Sequence, residues 1–404
     1  MINEKDKLGF WTFVFLWFGA SVSVAEILTG GLLAPLGFKT GILIILLGHL
    51  IGTGIFVLGG IIGTKERIPA ITSTNISFGV YGTYLFSILN VLQLIGWTAI
   101  MIRSGANSVN LITQSLWNFD NLTVSSLAIG ALILLWISFG KTGIKKLNTA
   151  AVLLLFALTI ILGTVIFKDS NLLSKAGDGS MSFGSALELN IIMPLSWLPL
   201  IADYTRFARS TKSGAYGSFL GYFIGSSWMY IIGLGAAIVS NNADPSAAML
   251  AANLGFTALG IVMLSTITTT FMDVYSAGVS FLNIMPKLKG KTIGIIMSII
   301  GTLIALILPM ESYVGFLYAI GSVFAPLFAI LITDYFIIKK NTKIEPNTLV
   351  NWGAALVWVA GIIIYHSFAK TDFVLGSTVP AMIVTGAIYG MSWRWISKWK
   401  LLRE

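Results

Sequence analysis

The chain has 404 residues, of which 56% are hydrophobic and only 10% are charged. A soluble globular domain carries roughly 25% charged residues because its surface faces water, so this composition excludes a soluble protein and predicts a surface that mostly faces lipid. The absence of cysteine excludes disulfide scaffolds, thiolate metal sites and cysteine nucleophiles. The net charge of +9 does not indicate nucleic-acid binding, because no basic stripe with interleaved aromatic residues accompanies it.

Apolar stretches long enough to cross a bilayer recur along the whole chain. A transmembrane helix needs about 20 mostly apolar residues, because the hydrocarbon core is about 30 Å thick. The sequence therefore predicts an all-α, polytopic membrane protein with 12 transmembrane helices. The predicted spans are 10–34, 41–63, 77–108, 122–140, 148–167, 188–208, 215–240, 252–283, 293–309, 313–337, 350–368 and 374–396.

The distribution of lysine and arginine supports this number of spans. If the N-terminus is cytoplasmic, all but five of the 25 basic residues lie in segments that face the cytoplasm. The exceptions are Lys39, Arg103, Lys168, Lys175 and Lys370. Because cytoplasmic loops collect positive charge, we expect a multi-pass protein of the inner (plasma) membrane with both termini in the cytoplasm.

Two of the predicted spans contain signals that interrupt a helix. The first span has a polar run at 21–26 followed by Gly30 and Gly31, and the sixth contains Pro194 and Pro199. The two spans lie five helices apart, which is the spacing that a five-plus-five inverted repeat would give. Secondary transporters bind their solutes on such paired, discontinuous helices near the middle of the membrane.

Two acidic residues lie well inside predicted spans, Glu26 in the first and Asp273 in the eighth. Charged side chains in a membrane are costly and indicate a functional site. At the break, Glu26 can bind a cation, bind an amine-bearing solute or carry a proton; the alternative is a buried, protonated Glu26 bonded to a neighbouring helix. Asp203 and Asp334 lie near span ends and are interpreted as pairing with basic side chains or capping backbone groups.

The third span places Gln93 and Trp97 four residues apart, on one helix face. The amide offers a hydrogen-bond donor and an acceptor, and the indole offers a flat surface for an aromatic solute. The alternative is that both side chains join helices to one another. His49 and His366 each stand alone in an apolar segment and are interpreted as packing or interfacial residues.

The eighth span carries a run of hydroxyl side chains between residues 265 and 270. Ser265, Thr268 and Thr269 fall on one helix face with Asp273. Hydroxyl oxygens, together with carbonyls freed by a broken helix, suit a hard monovalent cation such as sodium. The alternative is that these hydroxyls bond to the carbonyls of their own helix.

Four short motifs follow one another along the chain. They are Thr29–Gly31 after the first break, Gln93 with Gly96–Trp97, Ala202–Phe207 (Ala-Asp-Tyr-Thr-Arg-Phe) at the end of span six, and Thr268–Thr269 with Tyr275–Gly278 (Tyr-Ser-Ala-Gly) in span eight. In this order, and over nearly the whole chain, the sequence resembles the nucleobase–cation symporter family, which includes cytosine permeases and hydantoin and allantoin transporters. Within that family it is most similar to the branch of hydroxymethylpyrimidine transporters, associated with thiamine precursor salvage.

The resemblance implies a LeuT-like core that works by alternating access. The core would occupy residues 1–340, with two inverted five-helix repeats at about 10–167 and 188–337. Residues 341–404 would supply two additional transmembrane helices and a cytoplasmic C-terminus. The resemblance implies no enzyme activity, no organic cofactor and no obligate protein partner, only a small solute, a coupling ion and membrane lipid.

The resemblance also implies a substrate site between spans one, three, six and eight. The solute would stack on Trp97 and Trp197. Its polar groups would be bound by Gln93, Ser196 and Thr270. The coupling sodium would be held by carbonyls near Val22 and Ala25 and by the hydroxyls of Thr268 and Thr269, with Ser265 on the same face.

The chain departs from cytosine permeases at positions that bear on the substrate. Those proteins carry asparagine where this chain has Ser265 and Thr270, and a small neutral residue where it has Glu26. A carboxyl group can accept from an exocyclic amine, or donate to a ring nitrogen when it is protonated. Glu26 therefore favours an aminopyrimidine, for which the best match is 4-amino-5-hydroxymethyl-2-methylpyrimidine, with Asp273 binding its hydroxymethyl group or acting in packing or gating.

Three alternatives remain open at this point. One is a proton-coupled transporter of cytosine or another nucleobase, with Glu26 as the proton site. An intramembrane enzyme is disfavoured, because the chain has no His-Glu-x-x-His, no Gly-x-Ser-x-Gly and no pair of intramembrane aspartates in a Gly-Asp context. A channel is disfavoured because broken helices with an acid at mid-membrane indicate an occluded site.

Overall fold

The structure is a computed structural model. It describes residues 7–138, 141–168, 174, 176–242, 244, 247, 250, 255–338 and 348–402. Lys175, the ends of two predicted spans at 139–140 and 252–254, and the predicted domain boundary at 340–341 lie outside the described residues. Residue 174 and residues 244, 247 and 250 are described singly between these ranges.

The helices are numbered here in chain order. The first half contains α1 (Phe10–Ser21), α2 (Val24–Gly31), α3 (Phe38–Glu66), α4 (Ala70–Ser73), α5 (Asn75–Trp117), α6 (Leu122–Ser138) and α7 (Lys141–Ile166). The second half contains α8 (Phe183–Ser196), α9 (Ile201–Thr205), α10 (Gly217–Ser240), α11 (Gly255–Ile284), α12 (Gly290–Ile307), α13 (Tyr313–Ile332), α14 (Trp352–Thr371) and α15 (Thr378–Ile396). Two short strands, β1 (Thr348–Asn351) and β2 (Lys400–Leu402), pair antiparallel beside the last two helices.

Short irregular helices extend or connect these elements. A π-helical turn at Lys212–Tyr216 precedes α10, and a second at Thr333–Ile338 continues α13. Turns of 3₁₀-helix lie at Ala34–Leu36, after α2, and at Met310–Ser312, before α13.

A helix or a helix pair occupies each of the twelve predicted spans. Within the described ranges, seven helical segments are long and apolar enough to cross a membrane on their own, and the bent pair α1–α2 meets the same criteria as one broken span. The all-α membrane fold is therefore confirmed, and the β1–β2 pair is a small addition to it. The number twelve stays a prediction, because the remaining segments do not reach these criteria among the described residues.

The first span is broken where the polar run predicts. The axes of the two halves are bent by 59°, and the break lies at Val22 and Ser23, between α1 and α2. The Ser23 hydroxyl caps α2 by accepting from the Glu26 amide at 3.3 Å, and Ser265 of α11 accepts from the Val24 amide at 2.9 Å. These hydroxyls satisfy backbone donors that the break sets free, and they hold Glu26 in the first turn of α2.

The sixth span is interrupted by a turn at 197–200, but Phe183–Thr205 still meets the criteria for a single spanning segment and lacks the sharp bend of the first span. Helix α8 ends at Ser196 and α9 begins at Ile201. Pro194 lies in the last turn of α8 and Pro199 lies between the two helices. Proline has no amide hydrogen to continue the helical ladder, which explains the interruption. The inverted repeats and the domain boundaries remain a prediction.

Helices α5 and α11 pack against each other in antiparallel register along most of their length. Asn90 donates to the Ser280 hydroxyl at 2.7 Å, and Asn283 donates to the Ser87 hydroxyl at 2.9 Å. This register brings Trp97 of α5 and Asp273 of α11 to the same level of the bundle, where both line the central cavity.

The last two helices are fixed to α8 by one buried carboxylate. Glu188 accepts from the hydroxyls of Tyr365 and Thr378, both at 2.7 Å. It also accepts from the backbone amides of Ser377 and Thr378, at 2.7 and 2.9 Å. The carboxylate therefore caps the first turn of α15 and joins α14 and α15 to the sixth span.

Candidate substrate and cation site

A small enclosed cavity lies where the broken first span and the interrupted sixth span meet α5 and α11. These are spans one, three, six and eight of the prediction. Of the predicted substrate residues, Glu26, Trp97, Trp197 and Asp273 line this cavity. The full lining is Ser23, Ala25, Glu26, Trp97, Met101, Met193, Trp197, Thr269 and Asp273.

The cavity is closed in this conformation. Its volume of about 10 Å³ holds about one water molecule, so a pyrimidine ring does not fit until the surrounding helices move apart. Towards the end of the bundle at which α1 begins, Trp17 packs edge-on against Trp197 and Tyr204, with ring centroids 5.8 and 5.7 Å apart. Towards the opposite end, Tyr313 contacts the Thr29 hydroxyl at 2.7 Å and the Trp97 ring at 6.2 Å between centroids.

The carboxyl group of Glu26 is held from the side by α10. Its Oε1 accepts from the Tyr222 hydroxyl at 2.8 Å, and its Oε2 accepts from the Ser226 hydroxyl at 2.7 Å. Only 2% of Glu26 is exposed, and its remaining face lines the cavity. A carboxylate has about four lone-pair sites, so these two bonds leave acceptor capacity for a donor in the cavity.

His49 of α3 extends this network away from the cavity. Its Nε2 lies 2.6 Å from the Ser226 hydroxyl and its Nδ1 lies 2.9 Å from the Ile45 carbonyl. A carbonyl can only accept, so the hydrogen bonds assign a hydrogen to Nδ1. The single hydroxyl hydrogen of Ser226 cannot be donated to Glu26 and His49 together. Because this hydrogen serves only one of the two contacts at a time, Ser226 lies between two titratable side chains that can each carry a proton.

This network was not predicted from the sequence. His49 was interpreted as a packing residue, and Tyr222 and Ser226 were not among the candidates. These residues belong to spans two and seven, and no spacing in the sequence brings either span to Glu26. The only signal was that each is a polar side chain in an apolar segment.

Gln93 lies one helical turn from Trp97, as predicted, but it is not part of the cavity lining. Its Nε2 donates to Asn90 Oδ1 at 2.8 Å. Its Oε1 is buried and has no hydrogen-bond partner within the described residues. The amide oxygen is therefore the part of Gln93 that is available to a solute donor.

Two predicted substrate contacts use their hydroxyls within their own helices. Ser196 donates to the Met193 carbonyl and Thr270 donates to the Thr266 carbonyl, both at 2.6 Å. Neither side chain lines the closed cavity. In this conformation both hydroxyls are bonded to carbonyls of their own helices, and their contact with substrate stays a prediction.

Asp273 faces the cavity from α11 and is 3% exposed. Within the described part of the chain its carboxyl group has no hydrogen-bond partner. Buried polar groups are normally hydrogen-bonded, so an unpartnered carboxyl group at a cavity wall is suited to bind a solute hydroxyl or amine.

Two of the predicted cation ligands, Ala25 and Thr269, line the cavity beside the break of the first span. The Thr269 hydroxyl is buried and has no partner among the described residues, and it lines the cavity with Ala25. The Ser265 hydroxyl lies 3.4 Å from the Val22 carbonyl, whereas the Thr268 hydroxyl donates to the Leu264 carbonyl at 2.8 Å. An unpartnered hydroxyl at the cavity wall suits a hard cation such as sodium, and the sodium site as a whole stays a prediction. No cluster of three acidic, histidine or cysteine side chains occurs in the described ranges.

A broken and an interrupted helix that meet at a small cavity lined by two acidic side chains are typical of α-helical membrane transporters. The family model described as "Permease for cytosine/purines, uracil, thiamine, allantoin" matches residues 2–395. The chain belongs to this family of permeases, which confirms the predicted resemblance at the level of the family; the hydroxymethylpyrimidine branch stays a prediction. The family consists of transporters and not of enzymes, so the alternative of an intramembrane enzyme is excluded.

Curated relatives cover most of the chain. The cytosine permease of Escherichia coli is 28% identical over 398 residues, which cover 95% of this chain and 92% of the relative. The hydantoin permease of Microbacterium maritypicum is 21% identical over 377 residues, covering 81% of this chain and 73% of the relative.

Solved structures share the fold. The inward-facing conformation of Mhp1 has a TM-score of 0.82 at 19% identity, covering 100% of this chain and 94% of that chain. A Na⁺-coupled sialic acid symporter in a substrate-bound, outward-open state has a TM-score of 0.67 at 14% identity, covering 95% of this chain and 90% of that chain. At these identities the likeness shows the common LeuT-like fold.

Proposed function

We propose that this protein is a secondary active transporter for an aminopyrimidine, with 4-amino-5-hydroxymethyl-2-methylpyrimidine as the best candidate, coupled to sodium by alternating access. The observation that carries the proposal is the position of Glu26. Its carboxyl group lines the cavity at a helix break, and Tyr222 and Ser226 leave it acceptor capacity for an exocyclic amine.

Other side chains around the cavity complement the same solute. Trp97 and Trp197 supply aromatic surfaces for a planar ring, and the buried Gln93 oxygen offers a second acceptor. Asp273 is suited to accept from a hydroxymethyl group. The relative from Escherichia coli is named a cytosine permease, and cytosine also carries an exocyclic amine beside a ring nitrogen.

Sodium is the proposed coupling ion because of the oxygen ligands at the first break. The orphaned Thr269 hydroxyl and the Val22 and Ala25 carbonyls would hold the ion. A sodium bound there would favour the arrangement in which α2 and α11 close on the cavity. In keeping with this, a structural neighbour is described as Na⁺-coupled.

A specific observation favours the alternative of proton coupling. Ser226 joins Glu26 to His49, and both of these buried side chains can carry a proton. Uptake and release of a proton here during the cycle would make this a proton-coupled transporter of cytosine or another nucleobase. Uptake into vesicles at fixed pH, with sodium replaced by choline, separates the two: loss of uptake supports sodium, and undiminished uptake driven by a pH gradient supports the proton.

The orientation and location follow the distribution of basic residues. We place the protein in the inner (plasma) membrane with both termini in the cytoplasm, so that Tyr313 and the end of α5 lie on the outer side. We also propose that residues 1–340 form the transporter core and that residues 341–404 supply two additional helices. Labelling of the separate variants Ser115→Cys and Lys398→Cys with an impermeant thiol reagent tests the orientation, since only the Ser115→Cys variant should react in intact cells.

A further inference from the structure

A second, larger cavity lies beyond Tyr313, on the side away from the closed central cavity. Its volume is about 340 Å³, within the range of ligand pockets, which is roughly 300–1,000 Å³. Ser104, Asn107 and Ser108 of α5 form one wall, and Leu28, Met310 and Tyr313 form another. We call this cavity the vestibule.

The polar wall of the vestibule has unused hydrogen-bonding groups. Ser104 and Ser108 are 5% and 1% exposed, and the side chains of Ser104, Asn107 and Ser108 make no hydrogen bond within the described residues. Elsewhere on α5 hydroxyls bond to their own helix: Ser87 donates to Thr83 at 2.9 Å. Buried polar side chains without partners are uncommon, so the two buried serines, with the partly buried Asn107 beside them, indicate that this wall binds a ligand.

The three side chains lie on one face of α5, because their spacing is i, i+3 and i+4. They offer two hydroxyls and an amide to the edge of a small ring. The facing wall offers the Tyr313 ring and apolar side chains to the flat surface of the same ring. Asp244 also belongs to the lining; the expectation of an amine-bearing solute comes from the proposed function.

Tyr313 connects the vestibule with the central site. It lines the vestibule, contacts Thr29 one turn beyond Glu26, and packs against Trp97, which lines the central cavity. A solute in the vestibule therefore lies one side chain away from the central site.

We infer that the vestibule is a second binding site for the transported solute, an amine-bearing planar heterocycle, which Ser104, Asn107 and Ser108 bind before Tyr313 moves aside. This inference rests on the proposed transport of such a solute. It adds a site outside the closed cavity and assigns polar contacts to three residues of α5 that the sequence-based prediction does not include.

The absence of cysteine allows a direct test. Ser104→Cys and Ser108→Cys, made separately, each introduce the only thiol, and its rate of reaction with a small impermeant thiosulfonate is measured in vesicles. Hydroxymethylpyrimidine or cytosine, at ten times its half-protecting concentration, should slow the reaction about tenfold. Ser115→Cys is the matched control: it lies on the same helix, is exposed and is not part of the vestibule lining, so its reaction rate should not change.

A further variant of the central site tests whether protection comes from solute in the vestibule or from solute bound in the central cavity. The same labelling is repeated with Trp97→Ala, which removes an aromatic wall of the central cavity. Protection that persists in this background supports the vestibule site. Protection that disappears with Trp97→Ala, or that is absent in both backgrounds, overturns it.

Different results would contradict the vestibule site and the proposed function. Uptake of the same two compounds by the wild-type protein is measured in the same vesicles. Absence of uptake contradicts the proposed function. Uptake without protection of either thiol contradicts only the vestibule.

Discussion

The Ser226 hydroxyl lies 2.7 Å from Oε2 of Glu26. This contact joins α10, which does not line the central cavity, to the acidic group at the break of the first span. Together with the Tyr222 hydroxyl it fixes the direction of the carboxyl group, part of which lines the central cavity. The arrangement explains how a side chain on a short helix of eight residues is kept in one orientation.

Ser226→Ala should weaken solute binding. The variant removes a hydrogen bond to an acidic group, typically worth about 1.5–3 kcal/mol, which corresponds to roughly 10- to 100-fold in affinity. Equilibrium binding to purified protein checks this. Ser218→Ala is the matched control, since Ser218 is buried on the same helix but donates to the Gly214 carbonyl. Wild-type affinity in Ser226→Ala would contradict the role of this bond.

Thr269→Val should raise the sodium concentration needed for half-maximal uptake. Threonine and valine have similar shapes, so the variant mainly removes one oxygen ligand of the ion. A loss of about 1 kcal/mol corresponds to a roughly fivefold higher half-maximal sodium concentration. Uptake is measured against sodium at fixed pH. Thr302→Val serves as control, because Thr302 bonds to the Ser298 carbonyl of its own helix. An unchanged sodium dependence would remove Thr269 from the cation site.

Tyr313→Phe should speed the release of bound solute. The variant loses the hydroxyl that contacts Thr29, a bond of about 1 kcal/mol, so dissociation should be roughly fivefold faster. The rate is measured by dilution of labelled solute from purified protein. Tyr318→Phe, on the same helix, is the comparison. Equal release rates for Tyr313→Phe and wild type would mean that this contact does not retain the solute.

Glu188→Gln should lower stability without changing the central site. The carboxylate accepts from four donors, and an amide would leave donors unsatisfied at a cost of about 3 kcal/mol. We expect a lower thermal unfolding midpoint and unchanged solute affinity. Asp178→Asn is the control, since Asp178 lies in an exposed segment. A midpoint equal to that of the wild type would contradict the role of Glu188 in holding the last two helices.

The helix breaks and their acidic residue could be predicted from the sequence because local chemistry determines them. The polar run at 21–26 contains the break at Val22 and Ser23, whereas Gly30 and Gly31 lie at the end of α2. In the sixth span Pro194 removes a backbone donor. The position of Glu26 at the break follows directly. The aromatic residues Trp97 and Trp197 were assigned through the resemblance, and both line the cavity.

The partners of these residues could not be predicted, because tertiary packing chooses them. His49 and Ser226 are 177 positions apart in the sequence. The hydropathy of a helix shows that it is buried in the membrane, but not which other helix packs against it. Ser196 and Thr270 were predicted to bind the solute because a hydroxyl can donate and accept hydrogen bonds. Their bonds to nearby carbonyls depend on rotamers that the pattern does not specify.

The central claim is that Glu26 binds an amine of a pyrimidine in a sodium-dependent site. The most direct test is binding of 4-amino-5-hydroxymethyl-2-methylpyrimidine, cytosine and thiamine to purified wild type and Glu26→Gln, with and without sodium. We predict that the hydroxymethylpyrimidine binds best, requires sodium, and loses at least about 1.4 kcal/mol, or tenfold, in the variant. Normal binding by Glu26→Gln, or tighter binding of cytosine, would contradict the claim.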